Sequence, residues 1–156
     1  MDKLADLYNS LPLTDALLTS GQPTKKQFPL IASAGIKTVI NLALSTSTNA
    51  ITDEETTVKA LDMDYIHIPV IWENPTKANL EKFCVTMDAQ AGKKVLVHCA
   101  ANMRVSAFIA LYRILRLGWD REKAFQDTYR IWDPFKDAIW GKFIESILDN
   151  SINPAE

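Results

Sequence analysis

The hydrophobic positions along this 156-residue chain change period several times, and each change marks an element. ALLTSGQPT, Ala16 to Thr24, reads as a short strand followed by a Gly-containing turn. A helical pattern then runs to about Ala34 and stops at Gly35, a suitable C-terminal cap, and Pro29 inside it predicts a late start or a kink. Lys37 to Leu42 (KTVINL) is a short apolar strand, and the polar stretch LSTSTNAITDEE after it predicts a surface loop. The end of that stretch, Thr52-Asp53-Glu54-Glu55, caps a helix carrying Val58 and Leu61. In Asp64 to Ile71, Ile66, Ile68 and Val70 alternate with His67 and Pro69, as in a strand.

WENPT leads to a helix capped by Thr76 that sets Leu80, Phe83, Cys84 and Met87 on one face. Val95-Leu96-Val97 is apolar without alternation, which predicts a central strand covered on both sides. The helix after it, Val105 to Leu117, is apolar almost all round and ends at Gly118. Asp120 caps a further helix reaching Trp132, and after Asp133-Pro134 a last amphipathic helix carries Ile139, Trp140, Phe143, Ile144 and Ile147. Strands alternating with helices, then three helices in succession, predict an α/β fold with a short, mostly parallel central sheet flanked by helices. No repeat, low-complexity tract or linker interrupts the pattern, so residues 1–156 read as a single domain.

Composition narrows the function. At 47% hydrophobic and 23% charged residues the chain is globular, and at this length it buries a core without disulfides or metal. A net charge of −2, with no dense Lys/Arg cluster, argues against a nucleic-acid partner. No apolar run approaches the roughly 18 residues of a membrane span, and MDKLADLYNSLPLTDALL lacks the basic and apolar regions of a signal peptide. Two cysteines, Cys84 and Cys99, fit a reducing compartment such as the cytoplasm. His67 and His98 are the only histidines and make no ligand-spaced pair, so neither a metal nor another cofactor is expected.

The chemistry concentrates in VLVHCAANMRVSAF, Val95 to Phe108, where a buried strand ends in His-Cys and a short turn opens into a helix. A helix N-terminus offers unpartnered N–H groups and partial positive charge, which suit a phosphate. A cysteine at such a place has its thiolate stabilised, its pKa falling from about 8.5 into a range of roughly 3.5 to 7.5. Such a thiolate attacks phosphorus and forms a phosphocysteine. An arginine on the loop clamps phosphoryl oxygens bidentately, and a nearby carboxylic acid protonates the leaving oxygen, worth about 10² to 10⁴ in rate.

HCAANMRVS, His98 to Ser106, resembles the phosphate-binding signature of the cysteine-dependent protein tyrosine phosphatases: His-Cys, five residues including a Gly, Arg, then Ser or Thr. The wider chain resembles a bacterial phosphatase-like branch of that superfamily, a family without assigned function. The resemblance rests on Ser20-Gly21-Gln22-Pro23, on Ala34-Gly35-Ile36-Lys37-Thr38-Val39-Ile40-Asn41-Leu42, and on the strand Tyr65 to Val70, which precede the His-Cys loop in that order. It implies a dual-specificity-phosphatase-like fold and a phosphorylated substrate, protein or small molecule, with phosphotyrosine as the default. It also implies Cys99 as nucleophile, Arg104 as phosphate clamp, His98 in support, and a loop of Cys99, Ala100, Ala101, Asn102, Met103, Arg104, Val105 and Ser106 around the phosphate.

Three departures stand out. Asn102 falls on the signature's Gly, a mild change because Asn tolerates left-handed backbone. Val105 falls on its Arg, so Arg104 either fills that role in a loop one residue shorter or points elsewhere. Where dual-specificity phosphatases carry an acid Asp after the corresponding strand, this chain has Trp72-Glu73-Asn74; Glu73 is the replacement, with Asp53, Glu54 and Glu55 as weaker ones. Structural roles compete with these: Cys84 as core, Ser106 as a cap, His67 as a hydrogen-bonded support, Asp133 as a terminator, Tyr129 and the late tryptophans as core. The leading function is a cysteine-dependent phosphatase. One alternative is a pseudophosphatase that binds phosphate or a phosphorylated partner without turnover. Another is rhodanese-type sulfur transfer, disfavoured by His98 and by the Ser20–Pro23 segment.

Overall fold

Leu11–Thr14 (β1), Leu17–Ser20 (β2), Thr38–Asn41 (β3), Asp64–His67 (β4) and Val95–His98 (β5) form one sheet in the order β1-β2-β5-β3-β4. The computed structural model describes residues 3–152, with side chains to residue 150. Only β1 runs antiparallel to its neighbour; β2, β5, β3 and β4 are parallel. The central strand β5 is buried along its whole length, as its unbroken apolar run requires. The register sets Ser20, His98, Asn41 and His67 in one row at the carboxyl end of the sheet.

Among the described residues six α-helices cover the two faces: Phe28–Ser33 (α1), Glu54–Ala60 (α2), Lys77–Asp88 (α3), Met103–Leu117 (α4), Arg121–Phe125 (α5) and Ala138–Ile152 (α6). Because strand side chains alternate, each strand feeds two cores. Val39 and Leu96 meet Phe28, Ile31 and Val58 of α1 and α2 on one face. Ile40, Val95 and Val97 meet Phe83, Phe108, Trp140 and Ile144 of α3, α4 and α6 on the other. The second core is the larger, with a run of tilted, edge-on and stacked ring contacts through Trp72, Trp132, Trp140, Phe108 and Phe143. Among the described residues no helix is long and apolar enough to cross a membrane.

The structure departs from the expectations at five places. Strand β1 was not anticipated; it contains Pro12 and stands at the sheet edge, where a missing N–H breaks no ladder. Strand β4 stops at His67 rather than Ile71, although Ile68 and Val70 still donate to Asn41 and Leu42 (2.9 Å each). Helix α4 begins at Met103, two residues before Val105. The helix capped by Asp120 ends at Phe125, far short of Trp132, and a 3-10 turn, Thr128–Arg130, follows. There Thr128 is pulled inward, its hydroxyl donating to the Ser106 carbonyl (3.0 Å). Finally, Tyr129 lies at the surface, 52% exposed, rather than in the core.

Candidate active site

At the carboxyl end of β5 the chain leaves the sheet at His98, turns through Cys99 to Asn102, and enters the 15-residue helix α4. Asn102 makes the turn possible, because its φ of 66° lies in the left-handed region that Gly and, next, Asn adopt with least strain. Its side chain is buried, and Nδ2 donates to the Asn9 carbonyl (2.9 Å) and to Thr19 Oγ1 (3.1 Å). Its Oδ1 is a buried atom with no partner among the described residues.

The loop divides its backbone groups by partner. Every carbonyl from His98 to Asn102 is engaged. His98 O accepts from Leu42 N (2.8 Å), and Asn102 O from Ser106 N (3.0 Å). Cys99 O faces His98 Nδ1 (3.3 Å). Ala100 O accepts from Gln22 N (3.1 Å) and Asn49 Nδ2 (3.1 Å), and Ala101 O from Asn9 Nδ2 (3.1 Å). By contrast, the amides of Ala100, Ala101, Asn102, Met103, Arg104 and Val105 have no protein acceptor among the described residues. Six consecutive free donors at the N-terminus of a long helix form a concavity suited to an oxyanion.

A cavity of about 230 Å³ opens over this loop, lined by Trp72, Cys99, Ala100, Ala101, Met103 and Arg104. Cys99 is 1% exposed. Arg104 is also buried, and its Nη1 donates to the Val70 carbonyl (2.8 Å), which ties the guanidinium to the segment leading to Trp72. Trp72 is held in turn, its carbonyl accepting from Trp140 Nε1 (3.0 Å). The structure therefore brings Cys99, Ala100, Ala101, Met103 and Arg104 together around one space. Glu73 is exposed and does not line that space, although its neighbour Trp72 does. The Val105 side chain is fully buried in the larger core. Ser106 Oγ donates to the Met103 carbonyl (3.0 Å) and accepts from Trp132 Nε1 (3.1 Å), so its hydroxyl braces the first helical turn.

Behind the loop lies a buried polar chain. His98 Nε2 meets Glu54 Oε2 (2.6 Å), and Gln22 Nε2 donates to Glu54 Oε1 (2.7 Å). Burial works to raise the Glu54 carboxyl, but the hydrogen bond and charge of His98, with hydrogen bonds from Gln22 and Tyr65, outweigh it and hold the group below its ordinary value. Burial pushes the Tyr65 phenol upward, and the nearby Glu54 charge adds to this. His67 lies on the flank of the site, its Nε2 against the Ala43 carbonyl (2.6 Å).

This chain explains the Ser20–Pro23 segment physically. Ser20 O takes the Cys99 amide (3.4 Å), Gln22 holds both the loop and Glu54, and a Cβ at Gly21 would stand 2.8 Å from Ala100 O and 2.6 Å from the Tyr8 ring. Glu54 figured in the sequence only as a weak candidate acid, and Gln22 only as part of a resemblance. Asn9 and Asn49 carried no signal at all.

Comparison with known proteins places the chain in a family and its fold among known structures. The family described as DSP-PTPase phosphatase fused to NAD+ kinase matches residues 5–134. A DUF442 phosphatase-family protein from Shewanella putrefaciens CN-32 is 35% identical over 92% of this chain and 93% of its own, with a TM-score of 0.82. At lower identity the fold recurs in Pseudomonas aeruginosa TpbA in complex with pTyr (18% identity, 90% of this chain and 88% of that one, TM-score 0.70). It recurs also in the core catalytic domain of the Saccharomyces cerevisiae PP-IP phosphatase SIW14 (18%, 95% and 90%, TM-score 0.74). A search among proteins of curated function found no match. Sequence motifs, fold and family match converge: this chain belongs to the DSP-PTPase phosphatase family, within the protein tyrosine and dual-specificity phosphatase superfamily.

Proposed function

We propose that this single phosphatase-like domain hydrolyses phosphate monoesters through a phosphocysteine on Cys99. The observation that carries the reading is the run of six amides, Ala100 to Val105, from the loop after Cys99 into the first turn of α4, without an acceptor among the described residues. In this reading three phosphoryl oxygens sit on those amides, with Arg104 clamping from the Trp72 side. The Cys99 thiolate attacks phosphorus, and the bond to the leaving oxygen breaks. That oxygen takes a proton from Glu73, which must swing over the cavity from its exposed position beside Trp72. Water then attacks the phosphocysteine, releasing inorganic phosphate and the thiolate. Arg104 fills the signature's arginine role from one position early because the loop is one residue shorter, with Asn102 as its left-handed corner. Phosphotyrosine is the default substrate by family, and TpbA, a fold relative, is known in complex with pTyr.

A second reading is favoured by one contact. Arg104 Nη1 is already committed to the Val70 carbonyl, and Glu73 lies outside the cavity. A chain so arranged binds phosphate or a phosphorylated partner and turns over slowly or not at all.

Aryl-phosphate hydrolysis between about pH 5 and 7, where cysteine-dependent chemistry runs with an ionised nucleophile and a protonated acid, separates the two. For the enzyme, Cys99→Ser abolishes turnover and Arg104→Ala lowers it by about 10³-fold or more. Phosphate binding without turnover in the wild type selects the second reading. Turnover that survives Cys99→Ser overturns the first.

A further inference from the structure

Two exposed asparagines outside every motif touch the loop. Asn9, near the N-terminus, reaches Ala101 O across 92 residues, and Asn49, in the polar stretch before α2, reaches Ala100 O across 51. A peptide unit is planar and trans, so its C=O and N–H point in opposite directions. The unit that carries Ala101 O also carries the Asn102 N–H; the unit that carries Ala100 O also carries the Ala101 N–H. Neither Asn9 nor Asn49 lines the cavity, so a carbonyl held toward them turns its amide to the opposite side of the loop.

We propose that Asn9 and Asn49 are positioning residues that set the peptide planes of the phosphate loop by holding Ala101 O and Ala100 O outward, so that the Asn102 and Ala101 amides face the bound phosphate. The proposal rests on the phosphate-site reading above. Its sharper half is Asn9. Its Nδ2 is the only protein donor to Ala101 O among the described residues, whereas Ala100 O keeps Gln22 N when Asn49 is removed. Asn9 is also locked to the loop from the other side, because Asn102 Nδ2 donates to the Asn9 carbonyl. Tyr8, next in the chain, accepts from the Gly21 amide (2.7 Å), so the whole N-terminal segment is seated against the loop. Left to solvent alone, the Ala101–Asn102 peptide has no group to favour one orientation.

The alternative is that Asn9 is there only for its left-handed backbone, at φ 46°. Two variants separate these roles. Asn9→Gly keeps the backbone freedom and removes the side chain. Asn9→Asp keeps the shape and places a carboxylate, which cannot donate, against a carbonyl oxygen. The experiment is a titration of the full chain with inorganic phosphate, read by calorimetry and by 1H–15N shifts of the loop amides. The expected result is phosphate affinity about three- to tenfold weaker in both Asn9 variants and about twofold weaker in Asn49→Asp, in keeping with one hydrogen bond each.

The phosphate-induced shift should be lost selectively at Asn102 in the Asn9 variants and reduced selectively at Ala101 in Asn49→Asp, with Tm close to wild type. Wild-type affinity in Asn9→Gly overturns the proposal and leaves a turn residue. A uniform loss across all six amides with a fall in Tm also overturns it, as the sign of a merely structural role. If the wild type binds no phosphate, the site reading falls first and takes this inference with it; if the wild type binds and the variants match it, only the inference falls.

Discussion

Cys84 and Cys99 are nearly equal in burial, 2% and 1% exposed, and both pack against the larger core. Their backbones make them different groups. Cys84 lies in the middle of α3, where amides and carbonyls are spent on the helix, and its thiol lines a groove with Leu80, Glu81 and Arg116. Burial pushes its thiol up to about 11, only partly opposed by Arg116. Cys99 stands where β5 has ended and α4 has not begun, followed by six amides that have no acceptor among the described residues and that border the cavity it lines. Low solvent exposure alone therefore says little about a cysteine. What separates an inert thiol from a candidate nucleophile here is the set of neighbouring peptide units, one of whose carbonyls accepts from a side chain 92 residues away.

The comparison predicts its largest effect in thiol chemistry. A thiol at about 11 is thiolate in only about one molecule in 10⁴ at pH 7, before burial slows it further. Cys99 should react with iodoacetamide about 10³-fold faster than Cys84, and inorganic phosphate should protect it because anion and reagent compete for one space. Peptide mapping by mass spectrometry after timed labelling measures both rates. Equal rates, or labelling of Cys99 indifferent to phosphate, would break the contrast.

A smaller effect is expected behind the loop. Glu54 is 4% exposed, and its partners His98 and Gln22 are buried with it. Glu54→Ala strands both, which should cost about 3 kcal/mol, read as a shift in a urea or thermal unfolding curve. The pH dependence has a definite sign. The folded carboxyl titrates below its ordinary 4.5, so its contribution is fully present above that value and is lost as pH falls through the folded value. Wild-type stability should drop in that acid window, and Glu54→Gln, which cannot titrate, should show a flatter acid limb. An identical acid limb in the two proteins would mean that Glu54 is not held below its ordinary range.

Much of this fold was legible because local pattern and tertiary demand agreed. Val95-Leu96-Val97 is central because nothing in it is polar, and Thr76 caps α3 by accepting from the Asn79 amide (3.0 Å), as its place before an apolar helical face suggested. Gly118 ends α4 in the left-handed region, and Asn102 takes that region at the loop corner. Legibility failed where a distant contact decided. Pro12 hid β1, since proline argues against a strand until the strand is known to be at an edge. The reach of Thr128 to Ser106 cut short a helix that periodicity would have continued. At the site, the short span from His98 to Ser106 announced itself, but Asn9 and Asn49 did not, and Glu54 did so only as a weaker candidate acid rather than as the partner of His98. Each is a common polar residue in an ordinary loop or helix start, and only the fold brings it to the loop.

The smallest effect tests the quiet half of the comparison. Cys84 packs with Leu80, Phe83 and Met87 on the buried face of α3 and has no hydrogen-bond acceptor among the described residues. Cys84→Ala removes one sulfur from a packed interior and strands no polar group, so the cost should be near the low end for a large-to-small core change, about 1 kcal/mol. That is a shift of roughly 2–4 °C in Tm for a chain of this size. Aryl-phosphate turnover and phosphate affinity should stay at wild-type level, since no residue of α3 lines the cavity over the loop. A loss of turnover out of proportion to the Tm shift would make Cys84 a partner of Cys99, and the two cysteines would no longer be separable by their backbone surroundings.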